Sequence, residues 1–268
     1  MKAIRILLHS LLAISAAAFL ASHCNKSVTP SLNDPKVQAL YYRGSCFVLD
    51  FRKKSNFYNT NCDHFGSEFK GYPALLTSPD NFRHLYSAFD AHIVSNINLL
   101  DTSTRWIWIG MKHAQQMSGT LQQRRDNFEW YINDNQRWNV NRALVLWDVT
   151  EPNTGPEWDC GHLYRTLIYS EKLFTVTCTS ELRYICEYRS KRLNFKAVHQ
   201  NVRGNASVTV SESNDLEGME QCAVECAKHP LCQSYTYSGS TPLCALHTMS
   251  VNELTTEPLT GAVIFDII

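Results

Sequence analysis

Ten cysteines, at positions 24, 46, 62, 160, 178, 186, 222, 226, 232 and 244, constrain this chain more than any other feature of its sequence. What they mean depends on the compartment in which the chain folds. Met1 to Cys24 begins with Lys2 and Arg5, runs through an apolar stretch from Ile6 to Leu20, and ends on the small residues Ala21 and Ser22. A positive start, a short apolar middle and a small-residue end predict a secretory signal peptide over residues 1–22. A membrane span wants about 20 apolar residues, and His9 and Ser10 interrupt this stretch. A secreted, extracellular protein without a membrane span is therefore expected. In an oxidising compartment the cysteines read as disulfides, whereas in the cytosol they would point to zinc. Asn25-Lys26-Ser27 and Asn205-Ala206-Ser207 mark Asn25 and Asn205 as glycosylation acceptors of such a protein.

The charge balance removes other function classes. Twenty-five Lys and Arg face 25 Asp and Glu with no basic cluster, which argues against a nucleic-acid partner, since such binding rests on many phosphate contacts. No Gly-x-Ser-x-Gly, phosphate loop or His-Glu-x-x-His occurs, so no enzyme is expected. His162, His199, His229 and His247 lack metal-ligand spacing, and Gln122-Gln123-Arg124-Arg125-Asp126 reads as a solvated loop.

The cysteines fall into two groups, Cys46 to Cys186 and Cys222 to Cys244, separated by the polar, basic stretch Tyr188-Arg189-Ser190-Lys191-Arg192. The expected organisation is a lead-in over 23–40, a first domain over 41–188, a linker over 189–195 and a second domain over 196–268. Alternation predicts a strand over Tyr41–Arg52 with Phe47, Leu49 and Phe51 on one side. Phe82, Leu85, Tyr86, Phe89 and Ile93, spaced three and four apart, predict an amphipathic helix over 80–99 with Asp80 as its cap. Arg105–Met111 and Leu182–Tyr188 read as buried strands. The interval from Lys112 to Thr154, rich in Asn, Gln and Asp, reads as a long loop region of the kind that carries binding function.

Gly44-Ser45-Cys46-Phe47, Cys62, Trp108-Ile109-Gly110-Met111, Phe128-Glu129-Trp130, Trp147, Glu151-Pro152-Asn153, Asp159-Cys160, Cys178 and Tyr184-Ile185-Cys186-Glu187 occur in the order seen in the C-type lectin-like domain. From about Tyr41 to Tyr188 the chain resembles that family. Cys222-x3-Cys226-x5-Cys232-x11-Cys244 puts two cysteines one turn apart on a helix expected over Leu216–His229. With the strand-like Tyr235-Thr236-Tyr237 and Leu243-Cys244-Ala245-Leu246, this segment resembles a PAN/apple module. The resemblance implies an α+β chain: a C-type lectin-like fold of two helices, small antiparallel sheets and a long loop region, followed by a small disulfide-stapled α+β PAN/apple-like domain. It also implies carbohydrate binding, in self/non-self (innate) recognition or adhesion, with a glycan or glycoprotein as partner. A calcium-independent module that binds a protein ligand and no sugar is the alternative.

In sugar-binding members of the family a calcium ion joins protein to sugar, and it is held by the Glu and Asn of Glu-Pro-Asn, a Glu two residues before the next cysteine, and an adjacent Asn-Asp pair. By that resemblance Glu151 and Asn153 are the metal and ligand residues kept here. Trp158 stands where the second Glu is expected, and Leu173-Phe174-Thr175 replaces the Trp-Asn-Asp stretch. Glu157 or Asp159 could substitute for the missing Glu, yet calcium wants six to eight oxygens, and this set is thin. The calcium site therefore reads as degenerate. Glu151, Asn153, Trp158 and Asp159 remain the candidate ligand-binding residues, with Trp158 and Trp138 able to stack on a sugar ring or a partner.

The same resemblance implies disulfides Cys62–Cys186, Cys160–Cys178, Cys222–Cys244 and Cys226–Cys232, each contributing about 2–5 kcal/mol. Cys24 and Cys46 remain, and an even count suggests that they pair, which requires the signal to be cut before Cys24, with Ala21 and Ser22 as the expected cut positions. Cutting after Cys24 leaves Cys46 unmatched. Peptide mapping of the secreted protein without reduction decides between these, and a mature chain starting at Asn25 would rule out the fifth pair.

Overall fold

The computed structural model describes Cys24 and residues 34–65, 71–77, 79–95, 106–114, 119–133, 136–139, 147–153, 159–164, 172–189, 195–204, 209–213, 218–240, 243–250, 252, 254 and 256–267. The expected signal peptide lies outside them. The chain divides into two compact units, one of residues 24–40 and 47–188 and the other including residues 41–46 and 189–268. Few helices and many strands make it α+β, as expected. Among the described residues no helix is long and apolar enough to cross a membrane.

The stretch expected as one strand over 41–52 is a hairpin. Strand β1 (Val37–Tyr42) turns into β2 (Ser45–Asp50) through Arg43 and Gly44, both at positive φ (46° and 76°). A two-residue turn of that hand matches the twist of paired strands, and glycine adopts it without strain. β1 also takes up part of the expected lead-in. All six residues of β2 are buried, because it lies inside the sheet, between β1 and β9 (Arg183–Arg189).

The path continues from β9 to β4 (Trp106–His113), β5 (Phe128–Asn133) and β6 (Gln136–Asn139). Short β3 (Tyr72–Pro73) pairs with β9, and β7 (Cys160–Tyr164) pairs with β4 and with β8 (Lys172–Val176). Trp108 is wholly buried on β4, and its indole N–H donates to the Ser55 carbonyl at 3.0 Å, so the ring is buried without stranding its donor. Helix α1 (Pro79–Ser95) begins on a proline, which suits a position whose N–H has no helical partner. Asp80 thus sits inside the first turn. Phe82, Leu85 and Phe89 form the buried stripe that spacing anticipates.

The interval read as a loop contains a second helix, α2 (Leu121–Asp126), and both β5 and β6. Disulfides join Cys62 to Cys186 and Cys160 to Cys178. Cys24 and Cys46 are likewise oxidised, and no cysteine is free.

The second sheet runs β10 (Phe195–Gly204), β14 (Thr256–Ile267), β12 (Ser234–Ser238), β13 (Leu243–His247), β11 (Thr209–Ser213). β10 pairs with β14 through two register shifts, at Ala197/His199 and Gln200/Val202. Helix α3 (Met219–Lys228) turns Cys222 and Cys226 inward, where they bond to Cys244 and Cys232. Those four cysteines, Tyr235, Leu246 and Phe265 make the core, with the Tyr235 and Phe265 rings stacked 4.8 Å apart. A unit this small buries little apolar surface, and its staples carry much of its stability.

Each unit also buries a neutral imidazole. His162 packs against Trp106, Trp108 and Phe174, and burial pushes it down to about 3. His247, wholly buried, sits 2.8 Å from the Thr236 hydroxyl and 3.1 Å from that of Thr209. Burial holds it at about 4. The folded rings stay neutral where the unfolded ones, near 6.5, take up a proton. Stability is therefore complete above pH 6.5 and falls as pH drops from 6.5 toward 4. For His247 the loss amounts to about 3 kcal/mol. Calorimetric melting across pH 7.5 to 4 should show a falling midpoint, and His247→Gln should flatten the second unit's share. An unchanged slope in the variant would remove His247 from the account.

Candidate functional site

The loop Trp147–Asn153 is positioned by β8 on one side and α2 on the other. Trp147, 7% exposed, bridges to Leu173, and the Asp148 N–H donates to the Leu173 carbonyl at 3.2 Å. The Asp148 carboxylate accepts from the Thr150 N–H (3.1 Å) and hydroxyl (2.9 Å), bonds that hold it below its ordinary pKa. Helix α2 starts on a reciprocal cap, with Thr120 accepting from the Gln123 N–H and the Gln123 side chain accepting from the Thr120 N–H. The stretch read as a solvated loop is thus a helix. Its two arginines grip the loop by its carbonyls: Arg124 Nε donates to Pro152 at 3.2 Å, Arg125 Nε to Glu151 at 2.8 Å, and Arg125 Nη2 to Asp148 at 2.7 Å.

Glu151, 4% exposed, turns its carboxylate inward. Oε1 accepts from the Asn153 side-chain amide at 2.8 Å. Oε2 accepts from the Asn153 N–H (3.0 Å), the Thr175 N–H (3.1 Å) and the Thr175 hydroxyl (2.6 Å). Thr175 is 2% exposed. Four donors therefore compensate one buried carboxylate, as burial of a charge demands.

The structure brings Glu151, Asn153 and Thr175 together in one hydrogen-bonded cluster that does not include Asp159. The Asp159 carbonyl accepts from the His113 N–H at 2.7 Å, its Oδ1 is buried without a hydrogen bond, and burial raises its pKa while Lys112 opposes the rise. Trp158, Glu157, Asn25 and Asn205 lie outside the described residues. Trp138 lies on β6, in register with Trp130. Sequence reasoning missed Thr175 as a donor, and it missed Arg124 and Arg125; the spacing Thr120-x-x-Gln123 was the available signal for their helix.

These residues do not fit calcium. The ion needs six to eight oxygens, whereas the Glu151 carboxylate already faces four positively polarised hydrogens, two of them from Thr175. Leu173 and Phe174 supply no side-chain oxygen. Among the described residues no three of His, Cys, Asp and Glu gather as a metal site. Hydrogen bonds within the protein hold the loop.

Residues 194–265 match the family model of the PAN domain. No curated protein matches the chain by sequence. Among solved structures, the chain is similar to the mouse scavenger receptor C-type lectin carbohydrate-recognition domain, at 15% identity over 57% of this chain and 95% of that one, with a TM-score of 0.38. It is likewise similar to human lithostathine, at 14% identity over 57% and 97%, with a TM-score of 0.41. A calcium-independent type II antifreeze protein follows at 11% identity over 57% and 92%, with a TM-score of 0.36.

Thr175→Val should cost about 1–3 kcal/mol in denaturant unfolding, because a buried carboxylate loses a donor. Millimolar calcium should leave the wild-type melting midpoint where a chelator leaves it, whereas an ion at 100 times its Kd would add about 2.7 kcal/mol. A calcium-dependent midpoint would contradict the hydrogen-bonded loop. By sequence, the second unit of this chain is similar to the PAN domain over residues 194–265, the interval in which Cys222, Cys226, Cys232 and Cys244 close two disulfides.

Proposed function

We propose that the protein is a secreted, non-catalytic recognition protein whose C-type lectin-like unit binds a glycan or glycoprotein without calcium, with the PAN-like unit as a second recognition module. The observation that carries this reading is the Glu151 carboxylate, buried and saturated by four protein donors. Swinging it out toward an ion would strand the Thr175 and Asn153 donors and undo the bonds that shape the loop. Ligand contacts then fall to exposed aromatic and polar side chains, whose stacking and hydrogen bonds need no metal.

A glycan array probed once with millimolar calcium and once with a chelator tests the reading. Binding to the same glycans in both conditions is expected. Binding abolished by the chelator would overturn it, and silence in both would move the ligand from sugar to protein.

A further inference from the structure

Side chains alternate across a strand, so Lys112 on β4 shares a sheet face with Glu129, its partner on β5, and with Tyr131 and Arg137, which pair with each other across β5 and β6. The Lys112 ammonium lies 4.8 Å from the Tyr58 ring centre and 5.5 Å from that of Tyr131. Tyr58 is 54% exposed, and beneath it the buried Phe57 ring stands edge-on at 5.8 Å. An exposed ring thus rests against a packed one at a near-perpendicular angle. Arg137, half exposed, lies 3.9 Å from Glu129, so the face carries two cations and one anion.

Lys112 makes no hydrogen bond or ion pair among the described residues. Asp159 acts on it only at longer range. An ammonium is a strongly hydrated point charge with three donors, and the two ring faces that flank this one offer no oxygen. Such an ammonium is open to a carboxylate or sulfate, carried by a ligand that also covers the exposed part of Tyr58. A pyranose does so, since its C–H face lies on an aromatic ring while its substituents reach the flanking charges.

We propose that Tyr58, Lys112, Tyr131 and Arg137 form a binding site for an acidic sugar, a uronic acid or a sulfated hexose, with its anionic group on Lys112 and its ring on Tyr58. The site deepens the reading of glycan recognition without calcium and rests on it. It shares no residue with the Glu151 loop, so the two can fail separately.

The test is calorimetric titration of the full chain, in chelator, with a glucuronic-acid-containing tetrasaccharide, a sulfated tetrasaccharide and a neutral tetrasaccharide of the same length. An acidic probe should bind more tightly than the neutral one and lose affinity as salt screens the charge. Lys112→Met keeps the aliphatic stem and should weaken the acidic probe by about tenfold, the worth of a charge-assisted hydrogen bond. Tyr58→Ala should weaken it about fivefold. Lys228→Met, an exposed change in the other unit, should do nothing, and unchanged melting midpoints show that each variant folds. No acidic binding, or equal acidic binding by Lys112→Met, overturns the site, while neutral-sugar binding in chelator would leave the calcium-free reading standing. Acidic-probe binding that appears only with calcium overturns that reading together with the site.

Discussion

One covalent tie, Cys62 to Cys186, closes a span of 124 residues, and most strands of the first unit, β3 to β8, lie within it. Closing so long a loop restricts the unfolded chain by about 5 kcal/mol in the entropic account. The bond anchors the segment that leads into β3 to the middle of β9, and β9 lies between β2 and β4 in the sheet. Gly71 beside it leaves room for the Tyr188 ring, which a Cβ there would meet at 2.5 Å. The Tyr188 hydroxyl accepts from the His64 N–H at 3.0 Å, and the His64 ring lies 3.3 Å from the Asp50 carboxylate. The tie therefore organises both an apolar and a polar layer.

Cys160–Cys178, by contrast, is local, separated by 18 residues, and it holds together β7 and the end of β8. Thr175, which donates to Glu151, lies on β8 beside it. Threonine in place of an anion at this position changes the character of the loop, since a hydroxyl donates to a carboxylate where a second carboxylate would repel it. The triplet Glu151-Pro152-Asn153 keeps its place in the chain while its chemistry points inward.

The α+β class and the two cysteine groups were legible because covalent spacing and apolar periodicity leave direct traces. Phe82, Leu85 and Phe89 repeat at helical spacing since that face packs on the core. Helix α2 left no such trace, because none of its residues is buried; it is held by end-capping and by arginine bonds to backbone carbonyls, which any sequence possesses. The turn at Arg43-Gly44 was hidden by alternation that continues across it. The inward Glu151 could not be read either, as acceptor and ligand roles use the same carboxylate, and only the position of the Thr175 hydroxyl separates them.

Strand β10 lies at one edge of the second sheet, ten residues long, with Ala197 through Asn201 exposed. An uninterrupted row of outward N–H and C=O groups of that length would template strand addition from a neighbouring molecule. The two register shifts break the row into short segments, and Asn201 sits at a positive φ of 58° within the second. An edge broken in this way is a poor template for a strand of another copy.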